Sequence, residues 1–353
     1  MSQELHHLPN HSIRRTLKTE DDNGVSVFRF PIPSPLKAWP RAWFFVSATL
    51  VLAACQASGT APPSSTPAQG SWQQKSSMPT PRSEMPAVAL DGRIYVPGGF
   101  GGERAFEVYV PKTDEWESLE PLPEGRHHLM AVAHGGKVYA FGGGGSLIDW
   151  RARDTAWAYD PSADKWTELE PMPEGRVAGA AVSLGQFIYV LGGGGGTDEL
   201  LRYDPGADTW TRLASVIHSR EHTAAVALDG RIYALGGRWG DTGELTSVEV
   251  YDPASDTWTE GRNMAVARGG FAAATLGTQI YVLGVEVLSG GRVTLSSVEL
   301  FLLRTESWTA GPELPVPLHG VPAVGLDGAI YVVGGSDRAG GIENRGRVLV
   351  YRP

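Results

Sequence analysis

Five arginines recur at one place in a repeating pattern. Arg82, Arg126, Arg176, Arg220 and Arg268 each stand ten residues after a tryptophan, and the sixth equivalent position is Leu318. A planar guanidinium presents paired N–H donors that match a carboxylate or phosphate, so a ring of them would suit an anionic ligand. The competing role is structural. Such arginines can bond strand-end carbonyls or nearby carboxylates such as Glu124, Glu174 and Glu221, and five crowded, unpaired cations would repel one another. Two further stretches set an indole among charges: Asp149-Trp150-Arg151-Ala152-Arg153-Asp154 and Arg238-Trp239-Gly240-Asp241. That composition suits sugar stacking or a protein-binding hot spot, unless Trp150 and Trp239 fold back over their own repeat units. His128, His222 and His319 could form a metal centre by symmetry, but they have no ligand-spacing motif. The expectation is no metal and no cofactor. H-E-x-x-H, G-x-S-x-G and phosphate-loop motifs do not occur. The glycine runs 142–145 and 192–196 follow strands and precede no helix, so they lack the context of a nucleotide site.

The elements that would position these residues follow from spacing. Six tryptophans, Trp72, Trp116, Trp166, Trp210, Trp258 and Trp308, are each followed 23 residues later by a tyrosine. A second aromatic (Tyr109, Tyr159, Tyr203, Tyr251, Phe301) precedes the next tryptophan by 7 residues in every case. Between the two aromatics the gap is 14, 20, 14, 18, 20 and 20 residues, the last ending at Tyr351. All length variation therefore falls just after a Gly-Gly pair. The period, about 44–50 residues, marks a stacked or circular repeat. Within each unit, apolar runs meet at a hairpin signal such as Asp91-Gly92, Gly-Gly marks a close backbone approach, Tyr-Asp-Pro ends a third strand, and the Trp element opens a fourth. Four antiparallel strands repeated radially make the blade of a β-propeller.

The Gly-Gly pairs, the tyrosine 14–20 residues on and the tryptophan 7 after it resemble the kelch repeat over residues 71–353. The resemblance implies an all-β, six-bladed propeller. Unit five departs from it, with Gly284-Val285 for Gly-Gly and Phe301-Leu302-Leu303 for Tyr-Asp-Pro. The sixth unit ends at Pro353 before any Trp strand, while Trp72 is unmatched at the start. An N-terminal strand around Trp72 should therefore complete the last blade and remove two sheet edges.

In a four-strand meander a–b–c–d, the a–b and c–d turns share one face, and the b–c and d–a loops share the other. The variable insert is the b–c loop and the arginines lie in the d–a loop, so both candidate groups share a face. Insertions gathered on one face often mark a binding face. The resulting expectation is a monomeric binding module for a protein or glycan ligand, anionic if the arginines take part. The alternative is a sugar-modifying enzyme similar to the six-bladed kelch sialic acid epimerases of the bacterial periplasm. That resemblance would place Arg126, Arg176, His128, His222 and Glu221 at the channel mouth. Galactose-oxidase-like copper chemistry is not expected: it needs a tyrosine joined to a propeller cysteine and belongs to seven-bladed relatives, whereas no cysteine follows Cys55.

Net charge is −9, and residues 56–353 carry 24 Lys and Arg against 35 Asp and Glu, which argues against nucleic acid as a partner. Residues 1–36 are polar and without periodicity, and disorder is expected there. Residues 37–55 combine Lys37 and Arg41, the apolar run Ala42–Ala54 and Leu52-Ala53-Ala54-Cys55. That layout is a secretory signal, and its end resembles the bacterial lipobox. Cys55, the single cysteine, would carry the acyl anchor, with residues 56–70 as a flexible tether. The expected location is the bacterial cell envelope, outside the cytoplasm, lipid-anchored to a membrane.

Overall fold

In each unit the hairpin turn sets the geometry. Asp91 and Gly92 both take left-handed backbone angles (φ 51° and 72°), as do Asp229-Gly230 and Asp327-Gly328. Two consecutive left-handed residues give the tight turn whose twist matches that of the flanking strands. The computed structural model describes residues 70–353 except 196–197, 290 and 341–342. The expected N-terminal extension, signal and Cys55 lie outside the described residues, as does the tether apart from residue 70.

Blade one comprises Val88–Leu90, Arg93–Pro97, Phe106–Val110 and Glu115–Ser118, paired antiparallel in that order. Five further four-stranded sheets repeat this order over residues 130–168, 180–215, 224–260, 272–310 and 323–352. The sixth takes its outer strand from the start of the repeats: Ser71–Lys75 pairs with Val348–Arg352, Trp72 opposite Tyr351. The expected closure is therefore present. Blade four adds a small hairpin, Arg238–Trp239 with Gly243–Glu244. Blade five, irregular in sequence, keeps four strands; its middle pair is one long hairpin, Gln279–Val287 with Val293–Leu302, with a register shift between Leu283 and Val285.

The core is divided among the blade interfaces. Val88, Tyr95, Phe106 and Val108 of blade one pack against Val138, Ala140, Trp157 and Tyr159 of blade two. Blade six meets blade one through Tyr331, Val333 and Val350 against Ile94, Val96 and Tyr109. Each of the six repeat tryptophans also ties neighbouring units at the rim. Its indole N–H donates to the carbonyl four residues after the preceding tryptophan, from Trp116 to Ser76 (2.9 Å) round to Trp72 to Pro312 (3.2 Å). The innermost strands put small residues on the axis: Ala87 and Ala89, Ala131 and Ala133, Ala225 and Ala227, with counterparts in the other blades, line a channel of about 440 Å³. Six strands converge there, and larger side chains would collide.

Candidate functional site

One end of the channel is built by a backbone collar. Twelve residues after each tryptophan stand Glu84, His128, Ala178, His222, Gly270 and Gly320. All six have left-handed φ, between 48° and 60°. Each N–H donates to the carbonyl of its counterpart in the preceding unit: His128 to Glu84 (2.7 Å), Ala178 to His128 (2.9 Å), His222 to Ala178 (2.7 Å), Gly270 to His222 (3.1 Å), Gly320 to Gly270 (2.8 Å) and Glu84 to Gly320 (2.8 Å). The circuit is closed. A non-glycine residue in this region costs about 1–2 kcal/mol. Glycine serves in units five and six, so a Glu and two His held at strained positions point to a use for their side chains.

Those side chains converge. His128 Nε2 lies 3.1 Å from His222 Nε2 and 3.1 Å from Glu84 Oε2. The reactive atoms of Glu84, His128 and His222 all fall within 4.8 Å of one another. Both histidines are buried, at 6 % and 8 % exposure. A second tier surrounds them. His127 Nδ1 lies 2.7 Å from His128 Nδ1, and Glu221 bonds His222 Nδ1. His319 Nδ1 lies 3.4 Å from both Glu84 and Glu286. Arg238 bridges Glu221 (2.8 Å) and Glu286 (2.7 Å). Trp150 closes the cluster from the b–c loop side, its ring centroid 4.7 Å from His128, 4.8 Å from His127 and 6.4 Å from His222. Its indole N–H donates to the Leu147 carbonyl (3.0 Å), which fixes the ring while leaving 45 % of the residue exposed.

The hydrogen-bond network assigns the protons. His127 Nε2 faces the Ser146 carbonyl at 2.8 Å and must carry a hydrogen. His127 is fully buried, and burial pushes its imidazole below the ordinary range, so it is neutral and its Nδ1 accepts from His128 Nδ1–H. Burial likewise pushes His128 down to about 4, against the pull of Glu84. Its Nε2 faces both Glu84 Oε2 and His222 Nε2, each at 3.1 Å. Burial alone would raise the Glu84 carboxyl, but His128, His319 and His222 together hold it well below the usual carboxylate range. For His319, burial is outweighed by Glu84 and Glu286, which raise its imidazole. Glu221 is held low, as its burial is overcome by His222 and Arg238. An imidazole and a carboxylate held below its usual range thus face each other beside His222.

The five arginines are placed otherwise than expected. None exceeds 2 % exposure. Arg82 donates to the carbonyls of Val96, Gly98 and Ala105 and pairs with Glu107 (2.7 Å). Arg220 pairs with buried Glu249, and Arg268 with Glu299 (2.9 Å). Arg126 and Arg176 turn to Glu124 and Glu174, both at 2.7 Å. These guanidinium groups hold loops to blades, and the expectation of an anion-receptor ring is corrected accordingly: desolvated cations need internal partners, and these have them. Arg151 is exposed, and Trp239 is 39 % exposed on the small hairpin of blade four. Arg238 is drawn into the cluster, as are Glu221, His128 and His222.

Sequence reasoning paired His128 and His222 with His319, but the convergent third member is Glu84. The signal was available: Glu84, His128 and His222 share one position in the repeat, whereas His319 lies one residue earlier, beside His127 and Glu221. The second tier (Arg238, Glu286) stands two residues after the first position of the Gly-Gly place in its unit, Gly236 and Gly284.

No curated protein matches this sequence. Among solved structures, one titled "Structure of YjhT" superposes with a TM-score of 0.69 at 16 % identity, covering 79 % of this chain and 99 % of its own, which establishes the shared fold. A KLHDC2/KLHL20/DRC7 Kelch-repeats domain model matches residues 65–219, and a Kelch motif model matches residues 219–265. With six such units closed into a ring, the chain belongs to the kelch-repeat family.

Proposed function

We propose that the propeller is a binding module whose ligand, a glycan or sugar acid, docks on the b–c and d–a loop face against Trp150. The observation that carries this reading is the half-exposed indole fixed over a buried His–Glu cluster at the channel mouth. An amphipathic ring with one open face, backed by polar groups, is the usual composition of a sugar platform. The large hydrophobic residues left exposed among the described residues also belong to this face: Leu147, Ile148 and Trp150 in one b–c loop, Trp239 in another, Val293 on the long hairpin of blade five, and Ile217 in a d–a loop. A protein partner is the other occupant such a face would suit.

The test is a thermal-shift screen of the full chain against sialic acids, other acidic sugars, neutral oligosaccharides and acidic peptides. A ligand that binds only the folded state raises the melting temperature. Trp150→Ala should weaken the hit about tenfold. A hit indifferent to Trp150→Ala would remove the indole from the site.

A second reading is supported by the neutral His128 beside ionised Glu84 and by the Glu221–His222 pair. Two such couples are the equipment of proton transfer at a sugar carbon or oxygen. Turnover of any bound sugar, abolished in His222→Gly, would establish it. Export and acylation at Cys55 complete the proposal; Cys55→Ala should release the protein from the membrane fraction.

A further inference from the structure

We propose that Glu84, His128 and His222 form a binding site for a divalent first-row transition-metal ion. This inference is independent of which ligand the loop face takes.

The donor set is the first argument. Two imidazole Nε2 atoms and one carboxylate oxygen come from three different blades and are carried by the closed collar. A tetrahedral or octahedral ion with bonds of ~2.1 Å holds neighbouring donors roughly 3 Å apart, and the observed separations from His128 Nε2 are both 3.1 Å. Two His and one carboxylate with free positions is a recurring set for zinc and for non-haem iron.

The second argument is the outer tier. A ligating histidine almost always gives its other ring N–H to a carboxylate or another acceptor, which fixes the tautomer and aims the lone pair. His222 meets this requirement through Glu221, and His128 through His127. Glu84 is steadied by His319 through its other oxygen. Glu221 is itself held by Arg238.

The third argument is the chemistry of the donors. Nitrogen donors favour zinc, cobalt, nickel or iron over magnesium or calcium. Three protein ligands leave at least one coordination position for water or a ligand oxygen.

The competing account is a proton shared by the two Nε2 atoms, with His222 as an imidazolium paired to Glu221. Cobalt distinguishes the two. The full chain is stripped with a chelator and titrated with Co²⁺ alone, with no sugar present, while visible absorption is followed; Zn²⁺ and Mg²⁺ are then added in competition. The expected result is one equivalent of Co²⁺ with intense visible bands, displaced by Zn²⁺ and untouched by Mg²⁺. His128→Gly and His222→Gly should lose the bands. Both place glycine where units five and six already have it, so the collar backbone is preserved. Glu221→Gln, which leaves the three ligands intact, should weaken binding 10–100-fold. Wild-type protein without saturable bands, or bands unchanged in both glycine variants, overturns the proposal. Because no sugar is involved, either outcome leaves the ligand-face reading to its own test.

Discussion

At the scale of single residues, the buried arginines obey a rule that can be read from sequence. Where the third strand carries a glutamate two residues before its aromatic, as Glu107, Glu249 and Glu299 do, the arginine pairs with it. Where that place is Trp157 or Leu201, the partner is a glutamate two residues before the arginine, Glu124 or Glu174. Where it is Leu349, the arginine itself is replaced by Leu318. Removing one member of a buried pair strands the other charge and costs about 3–5 kcal/mol. Arg268→Leu should show that loss by chemical denaturation, and Arg268→Leu/Glu299→Leu should recover a large part of it, since unit six already lives with two leucines. Reading the arginines as ligand donors failed because repetition alone does not distinguish a ring facing a channel from a ring buried beside it; the co-varying glutamates do. A pH effect belongs at this scale too. The Asp164 carboxyl is held below its ordinary range by the Glu120 N–H and the Tyr159 hydroxyl, and that of Asp114 by Tyr109 and Ser76. A carboxyl depressed in the folded state stabilises it fully above its unfolded value, about 3.9, and loses that contribution as pH falls through the folded value. Melting temperature should fall below about pH 4, less steeply in Asp164→Asn.

At the scale of elements, the Gly-Gly pair is a junction between blades as well as a turn. The second glycine's N–H donates to the carbonyl of the next repeat arginine, from Gly99 to Arg126 (2.8 Å) and from Gly143 to Arg176 (2.8 Å). A Cβ on Gly98 would lie 2.5 Å from that same Arg126 oxygen, whereas a Cβ on Gly92 in the hairpin turn would meet nothing within 4 Å. Both have positive φ, so the pair separates strain from collision. Gly92→Ala should cost about 1 kcal/mol and Gly98→Ala about 2–4 kcal/mol, read from urea midpoints. Blade five shows what the junction tolerates. Val285 takes the place of the second glycine, still donates to the Leu318 carbonyl (3.1 Å), and is carried inside an extended hairpin. The strands, their turns and the loop of variable length were all legible, because hairpin chemistry and the period of the aromatics are local signals. The Trp150 contact was not: nothing in the order of residues 144–153 says which way the insert folds over the mouth.

At the scale of the whole molecule, ring closure was legible from the mismatch between an unpaired Trp72 and a sixth unit lacking its own. The centre of the site was only half legible, since it requires side chains from blades one, two and four to meet on an axis that no single repeat contains. Closure rests on five paired residues, on the Trp72 indole bonded to Pro312, and on its ring tilted 41° against Tyr351 with centroids 5.3 Å apart. Trp72→Ala should cost roughly 2–3 kcal/mol and speed amide exchange in Val348–Arg352 before other strands respond. The same closure orders events at birth. Ser71–Lys75 leaves the ribosome first among the described strands and finds its partner only when Val348–Arg352 emerges. Until then Ser71–Lys75 is unpaired and the packing of blade six on blade one is incomplete. A chain that stops short, by premature termination or by clipping of its final strand, therefore advertises its own incompleteness to proteases and chaperones.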